Sequence, residues 1–197
     1  HEYSGSVGDT NTLESMLANK VNSVQNAFCL NRKVLNIGKI SFIGATLWTN
    51  PPRETWDAGV LAFNDYRSIL ESRGRPYTPQ KLVSVHRKHS EFIRHAIAEC
   101  KRDWTRHGAV VVTHHVPDQH LACKTSSRPS VLFPYYYATD MGGLTDDTYV
   151  KVWCHGHSHE SRCAQLKHEG TIFACNAKGY PLERTGYTDE SCITLEF

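Results

Sequence analysis

The sequence predicts an α/β fold organised as a single domain. Short apolar runs typical of strands alternate with segments of helical periodicity, and several of the strand-like runs end in clusters of polar residues. A chain of 197 residues with 40% hydrophobic and 21% charged residues has the size and composition of an ordinary globular domain. Because α/β sheets carry their binding sites where the strands end, those polar clusters indicate where to look for function.

Two segments have the periodicity of amphipathic helices. Residues 10–28 place apolar side chains every three or four positions, and residues 80–104 do so over the longest stretch in the chain. His86 and His89 lie on or beside the second stripe, so we interpret them as packed at a boundary between helix and sheet. Between the two helices, residues 53–79 are mixed and polar and predict an irregular segment with a short helix.

The strands are predicted from β-branched and apolar runs bounded by turn residues. Residues 29–48 indicate two strands around a turn near Gly38, the second running from Ile40 to Trp48. The wholly apolar run at 109–113 suits a strand that is buried on both faces. Further strands are predicted at Tyr149–Cys154, as a hairpin across AQLKHEG and TIFACNAKGY, and at CITLEF, with a loop-rich insertion over residues 118–148 in which FPYYYATDM forms a turn of helix.

Charge and cysteine content exclude some classes of function. The formal net charge is +2 and no long basic run occurs, so no nucleic-acid surface is evident. No segment approaches the ~20 apolar residues of a membrane span, and no signal peptide is visible, so we expect no membrane association. The seven cysteines are odd in number and form no Cys-x-x-Cys pair, which predicts reduced thiols in an intracellular, reducing compartment such as the cytoplasm or an organelle matrix.

Histidines are concentrated at two predicted strand ends. One strand runs into His114 and His115 in THHVP, and the other runs into WCHGHSHE, which contains His155, His157 and His159. A rigid strand fixes the position of the residue after it, and neutral imidazole is a common ligand of zinc, iron and manganese. A lone histidine after a strand would more often be structural, but the two motifs together predict a metal site.

The same motifs resemble those of a known family. VVVTHHVP and WCHGHSHE resemble the last two metal motifs of the calcineurin-like metallophosphoesterases, and ISFIGATLWTN, FNDYR and CNAKGYPLE are similar, in the same order, to segments of bacterial members. The resemblance implies a metallophosphoesterase-like β-sandwich flanked by helices. It also implies a centre of two divalent metal ions (Mn, Fe or Zn) that hydrolyses a phosphate ester substrate.

The resemblance assigns roles to individual residues. His114 and His157 would bind the second metal and His159 the first, with His115 as the alternative to His114. HEYSGS is similar to the end of the family's Gly-Asn-His-Glu motif, so His1 would be the catalytic histidine that contacts the phosphate and protonates the leaving group. The competing interpretation of His1 is a remnant of a purification tag. In the insertion, Lys124 and Arg128 are candidates to approach the substrate phosphate, or are part of a solvated loop.

The sequence departs from the family pattern upstream of these motifs. The family's Asp-x-His, its bridging Asp and its Asn ligand have no counterpart here, which implies that residues 1–197 are one N-terminally incomplete domain whose first strands are absent from this chain. An upstream segment or a second chain would complete the fold and restore a phosphoesterase. Alternatively, the chain is a catalytically inactive subunit with a structural or interaction role in a larger complex, or a module that binds one zinc through its three histidines.

Overall fold

A computed structural model describes residues 10–71, 74–122, 132–145, 147–159, 166–168 and 170–194. These residues form one six-stranded sheet and five α-helices. The strands are β1 (Lys33–Ile37), β2 (Ile40–Ala45), β3 (Gly108–Thr113), β4 (Val150–His155), β5 (Leu166–His168) and β6 (Thr171–Cys175). The helices are α1 (Thr10–Asn22), α2 (Trp56–Ala62), α3 (Asp65–Ser68), α4 (Pro79–Arg102) and α5 (Phe133–Tyr137).

The sheet has a parallel centre and antiparallel edges. Its order is β1-β2-β3-β4-β6-β5, in which β2, β3, β4 and β6 pair in parallel and β1 and β5 pair antiparallel to their neighbours. Val112 of β3 pairs with Cys154 of β4, so the residues that follow these two strands emerge side by side. This arrangement confirms the α/β class predicted from the sequence. It also places the two histidine motifs side by side at the carboxyl ends of the central strands.

One face of the sheet packs against α4 and forms the main core. Apolar side chains alternate along the strands, and those on this face meet one apolar side of the helix. Members of this core that are less than 2% exposed include Ile43, Ile93, Ile97, Val111, Trp153 and Phe173. The long helix therefore holds the centre of the sheet rigid beneath the histidine motifs.

The opposite face is less completely covered. Phe42, Val110, Val152 and Cys154 line a cavity of about 660 Å³ on this side, and the segment 188–193 lies across it. In the described part of the chain this face meets no second sheet, so the β-sandwich implied by the family resemblance stays a prediction.

Most of the predicted elements are confirmed. Helix α4, the β1–β2 hairpin, β3, β4, the β5–β6 hairpin and the helical turn α5 all occur where the sequence pattern placed them. The segment predicted to contain one short helix contains two, α2 and α3. No helix in the described ranges combines the length and the hydrophobicity that a membrane span requires.

Three predicted elements are wrong in extent: β2, which ends at Ala45 rather than Trp48, helix α1 and the final strand. Helix α1 ends at Asn22 rather than continuing to Phe28, because the Asn22 side chain accepts a hydrogen bond from the backbone N–H of Cys29 (3.0 Å) and Asn26 adopts a left-handed conformation (φ 61°). Phe28 is consequently 58% exposed. The final strand predicted at 192–197 is irregular over residues 192–194, and residues 195–197 lie outside the described ranges.

Candidate metal centre

Backbone hydrogen bonds join the ends of three neighbouring strands. After β3, the N–H groups of His114 and His115 both donate to the carbonyl oxygen of Thr46, which follows β2 (3.3 and 3.2 Å). After β4, the Gly156 N–H donates to the carbonyl oxygen of His114 (3.0 Å). The backbone that carries the histidines is therefore fixed from both sides, as a preorganised binding site requires.

His114 and His157 meet at the carboxyl ends of β3 and β4. The Nε2 atom of His114 lies 3.0 Å from the Nδ1 atom of His157, and the ring centroids are 4.8 Å apart. Without a metal, a hydrogen bond between the two nitrogens requires a proton on one of them, and a metal ion bound to both would replace that proton. Two metal–nitrogen bonds of about 2.1 Å at a right angle would separate their nitrogens by about 3.0 Å, so the spacing fits two adjacent ligands of one divalent metal ion.

The surroundings keep His157 uncharged. Burial lowers the pKa of His157 well below its usual 6.5, and the neighbouring imidazoles of His114 and His159 lower it further. Neutral imidazole is the form that coordinates metals, because protonation removes the lone pair. His157 is therefore ready to act as a ligand at neutral pH without losing a proton first.

The structure assigns different surroundings to the two adjacent histidines after β3. The side chain of His115 is buried, its Nδ1 lies 3.3 Å from the carbonyl oxygen of Thr46, and its ring packs against Trp48 and His157. Burial lowers the pKa of His115, and the nearby His157 and His114 add to the effect. His114 is exposed. His115 lines the same cavity as His114, but its Nδ1 faces the Thr46 carbonyl oxygen and its ring is buried, so this geometry favours His114 over His115 as the ligand.

Four residues near these strand ends have left-handed backbones although none is glycine. They are Leu47 (φ 73°), Trp48 (φ 57°), His157 (φ 65°) and His159 (φ 52°). Such conformations cost roughly 1–3 kcal/mol each and persist where the surroundings enforce them, which is common at functional sites.

Two buried histidines of α4 hold the first of these turns. The Leu47 N–H donates to Nδ1 of His89 (3.2 Å), and Nδ1 of His86 lies 3.2 Å from the Leu47 carbonyl oxygen. This confirms the interpretation of His86 and His89 as residues at the helix–sheet boundary. Their contacts also explain why the second predicted strand ends at Ala45 rather than Trp48: the chain turns sharply to meet α4.

His159 lies in a different environment from His114 and His157. Its Nδ1 is 2.8 Å from the Glu183 Oε2 atom, and its ring packs edge-on against Tyr180. The cavity that His114 and His157 line, about 340 Å³, is not lined by His159. Across the described ranges, no group of three or more His, Cys, Asp or Glu side chains is arranged to hold a metal ion. The assignment of all three histidines as ligands thus stays a prediction, and His1, Lys124 and Arg128 lie outside the described residues.

The cavity also contains residues that the sequence did not single out. Glu14 of α1 and Asp65 of α3 line it together with Trp48. Burial raises the pKa of the Asp65 carboxyl above its usual 3.8. Asp65 lies in FNDYR, one of the segments that carry the family resemblance, but the sequence alone does not identify it as a site residue. The site is therefore bordered by carboxylates from two helices as well as by the strand-end histidines.

Comparisons with known proteins add little to this picture. No family model matches the sequence, and no solved structure matches it. The chain is similar to a protein of Acanthamoeba polyphaga mimivirus described as uncharacterized protein L509, with 24% identity over 207 aligned residues that cover all of this chain and 71% of the viral protein. That description states no activity.

Proposed function

We propose that the chain is a metal-dependent phosphoesterase that hydrolyses a phosphate ester at a centre of two divalent metal ions. His114, His157 and His159 would be its metal ligands. The observation that supports this most is the 3.0 Å approach of His114 Nε2 to His157 Nδ1 at the ends of two parallel strands. The motif resemblance, which covers most of the chain, supplies the reaction class.

The residues of the chain have distinct tasks in this proposal. When bound, divalent ions polarise the phosphoryl oxygens and lower the pKa of bound water, which makes it a nucleophile. His114 and His157 present their imidazoles on rigid strand ends, and the adjoining cavity of about 340 Å³ gives a phosphate group access to them. His1 would protonate the departing oxygen, as the family resemblance implies.

Histidines alone do not complete such a centre. A pair of divalent ions is normally also held by carboxylates, which neutralise the adjacent cations and bridge them. The proposal therefore includes an upstream segment or a second chain that supplies those carboxylates, as the family resemblance implies.

A second candidate is a catalytically inactive subunit of the same ancestry. It is favoured by the finding that, within the ranges that the structure describes, no group of three or more His, Cys, Asp or Glu side chains is arranged to hold a metal ion. Such a subunit would retain the strand ends and the His114–His157 contact but would bind no metal, and it would serve a structural or interaction role in a larger complex.

Metal content and phosphatase activity distinguish the two candidates. We expect the purified protein, together with the upstream segment or second chain that supplies the carboxylates, to bind close to two Mn²⁺ or Zn²⁺ ions per chain and to hydrolyse p-nitrophenyl phosphate in a reaction that EDTA abolishes. His114→Ala and His157→Ala should each lower the rate at least 100-fold, whereas His95→Ala, at an exposed position of α4, should leave it unchanged. Absence of both metal and turnover, with retention in a larger complex, would establish the inactive subunit.

A further inference from the structure

A turn near the carboxyl end of the described chain holds a carboxylate against His159. The Oε2 atom of Glu183 lies 2.8 Å from His159 Nδ1 and also accepts a hydrogen bond from the backbone N–H of Tyr180 (2.8 Å). The Glu183 N–H donates in turn to the Tyr180 carbonyl oxygen (3.1 Å). The carboxylate is thus fixed by its own turn independently of its contact with the imidazole.

The same turn also restrains the imidazole ring. Tyr180 packs edge-on against His159, with ring centroids 4.9 Å apart and planes at 77°. His159 therefore has one ring nitrogen bonded to a fixed oxygen and its ring in contact with a fixed aromatic group. Both contacts come from Tyr180 and Glu183, whereas β4 ends four residues before His159, at His155.

Gly179 leaves the space that Glu183 occupies. Its backbone is left-handed (φ +72°), and a Cβ atom built there would collide with Glu183 Oε2 and with Thr185 Cγ2. A side chain at this position would displace the carboxylate from His159. The glycine, the tyrosine and the glutamate of CNAKGYPLE thus act together to place one oxygen at Nδ1.

Stability alone gives little reason for this arrangement. The side chains of His159 and Glu183 are 26% and 41% exposed, and ion pairs that are exposed to this degree contribute little to folding. In metal sites, by contrast, a ligating histidine commonly donates its second N–H to a carboxylate, which fixes the tautomer and makes the ligating nitrogen more basic.

We propose that Glu183 is a positioning residue for His159. It accepts the Nδ1–H of the neutral imidazole and so keeps the lone pair of Nε2 available for a divalent metal ion. This inference rests on the proposed function, because it presupposes that His159 is a metal ligand. It adds Glu183, which lies outside the histidine motifs, to the residues that form the proposed metal centre.

Metal affinity tests the inference directly. Titration of the metal-free protein with Mn²⁺ in a calorimeter should show binding that is 10- to 100-fold weaker in Glu183→Ala than in the wild type. Glu183→Gln should be affected less, because its amide oxygen still accepts the Nδ1–H. Glu190→Ala, at an exposed position seven residues further along, should bind as the wild type does.

The tautomer provides a readout that does not depend on activity. Nitrogen NMR of the metal-free protein should show a proton on Nδ1 of His159 in the wild type and in Glu183→Gln, and a shift toward the Nε2–H form in Glu183→Ala. Circular dichroism checks that each variant remains folded.

The outcomes separate this inference from the proposed function. Tight Mn²⁺ binding by the wild type together with equally tight binding and an unchanged tautomer in Glu183→Ala would overturn the role of Glu183 and leave the phosphoesterase proposal intact. A wild-type protein that binds no metal would overturn the proposed function and, with it, this inference, even where the NMR spectra confirm the hydrogen bond.

Discussion

Buried histidines are the residues on which stability at low pH depends. His89 is 3% exposed, and its Nδ1 accepts the Leu47 N–H, which requires the neutral ring. Burial, aided by Arg32, His86 and Lys88, lowers its pKa from 6.5 to about 4. Between those two values the unfolded chain binds a proton that the folded chain excludes. This residue's contribution to stability is therefore complete above pH 6.5 and is lost as the pH falls toward 4.

We expect the wild type to lose about 3 kcal/mol of unfolding free energy through His89 between pH 7 and pH 4, since one pKa unit corresponds to about 1.4 kcal/mol. His89→Gln should lose correspondingly less over the same range, because glutamine does not titrate and can still accept the Leu47 N–H. Urea unfolding at several pH values measures the difference. His95→Gln, on the exposed side of the same helix, should follow the wild type, and identical pH dependence in His89→Gln would contradict the prediction.

Replacing His155 or His86 by leucine should change the unfolding free energy of the protein in opposite directions. Among the described residues, no group lies in hydrogen-bond geometry with either buried ring nitrogen of His155, whereas Nδ1 of His86 bonds to the Leu47 carbonyl oxygen. His155→Leu removes unsatisfied polar atoms and should raise the unfolding free energy by about 1 kcal/mol, while His86→Leu should lower it by about 1–3 kcal/mol. Thermal unfolding of the two variants tests this, and a destabilised His155→Leu would indicate a partner for that ring.

Individual site residues could be predicted where histidines cluster at the ends of predicted strands, as His114 and His157 do. The sequence did not reveal Thr46, Asp65 or Glu183, which contribute a carbonyl oxygen or a single carboxylate from distant segments. A lone glutamate in a loop has the same local pattern whether it faces solvent or a histidine. Its role is determined by tertiary contacts that no spacing rule contains.

Among the elements, β3 and β4 are joined by a side-chain link directly below the candidate site. The buried Thr113 hydroxyl accepts a hydrogen bond from the Trp153 indole N–H (3.0 Å) and donates to the His115 carbonyl oxygen (2.8 Å). The link ties the tips of both histidine-bearing strands to each other. It therefore supports the 3.0 Å spacing of His114 and His157 as well as the core.

Thr113→Val preserves the shape of the side chain but leaves the indole N–H buried without its partner. We expect it to lower the unfolding free energy by about 1–3 kcal/mol and to weaken Mn²⁺ binding, while Thr113→Ser, which keeps the hydroxyl, should do neither to the same extent. Urea unfolding and calorimetric titration measure the two effects. Equal stability of the valine and serine variants would show that the hydroxyl is not needed.

The helices and strands that were predicted correctly are those whose hydrophobic residues recur with a regular period. Helix α4 and the central strands have clear hydrophobic patterns, so their positions were predicted correctly. The structure adds a cap that the sequence analysis did not use: the Thr78 side chain accepts a hydrogen bond from the Lys81 N–H at the start of α4. Helix α1 has a weak stripe, and its end is set by the Asn22 side chain rather than by hydrophobic spacing. The predicted strand at 192–197 failed over its described residues because an apolar run forms a strand only where a partner edge is available.

For the whole molecule, the fold itself creates the proposed metal site, so metal binding should stabilise the folded state. His114 and His157 are 43 residues apart in sequence and approach each other only after the sheet forms. An excess of Mn²⁺ at about 100 times its Kd should add about 2.7 kcal/mol to the unfolding free energy. Mn²⁺ suits the experiment better than Zn²⁺, because the seven cysteines of the unfolded chain would compete for zinc.

Thermal scans with Mn²⁺ and with EDTA measure this stabilisation. The melting temperature of the wild type and of His95→Ala should rise with Mn²⁺, and that of the His114→Ala, His157→Ala double variant should not. A rise of equal size in the double variant would place the metal elsewhere in the molecule.

The α/β class of the whole molecule followed from the alternation of strand and helix patterns, but the strand order did not. Nothing local in β4 indicates that it lies between β3 and β6, with β5 at the edge. That order depends on which crossovers bury the most apolar surface. The incomplete covering of one sheet face, across which the segment 188–193 lies, likewise depends on the assembled sheet and has no local signal in the sequence.

The parallel centre of the sheet has a consequence for the time course of folding. Thr46, His114 and His157 follow strands that are joined by long crossovers, so their meeting requires the closure of large loops, whereas α4 forms through contacts within a few residues. During refolding, helical signal should therefore return early and the capacity to bind Mn²⁺ should return late, together with burial of Trp153. Nascent or partly folded chains would carry every histidine of the site and yet have no affinity for the ion.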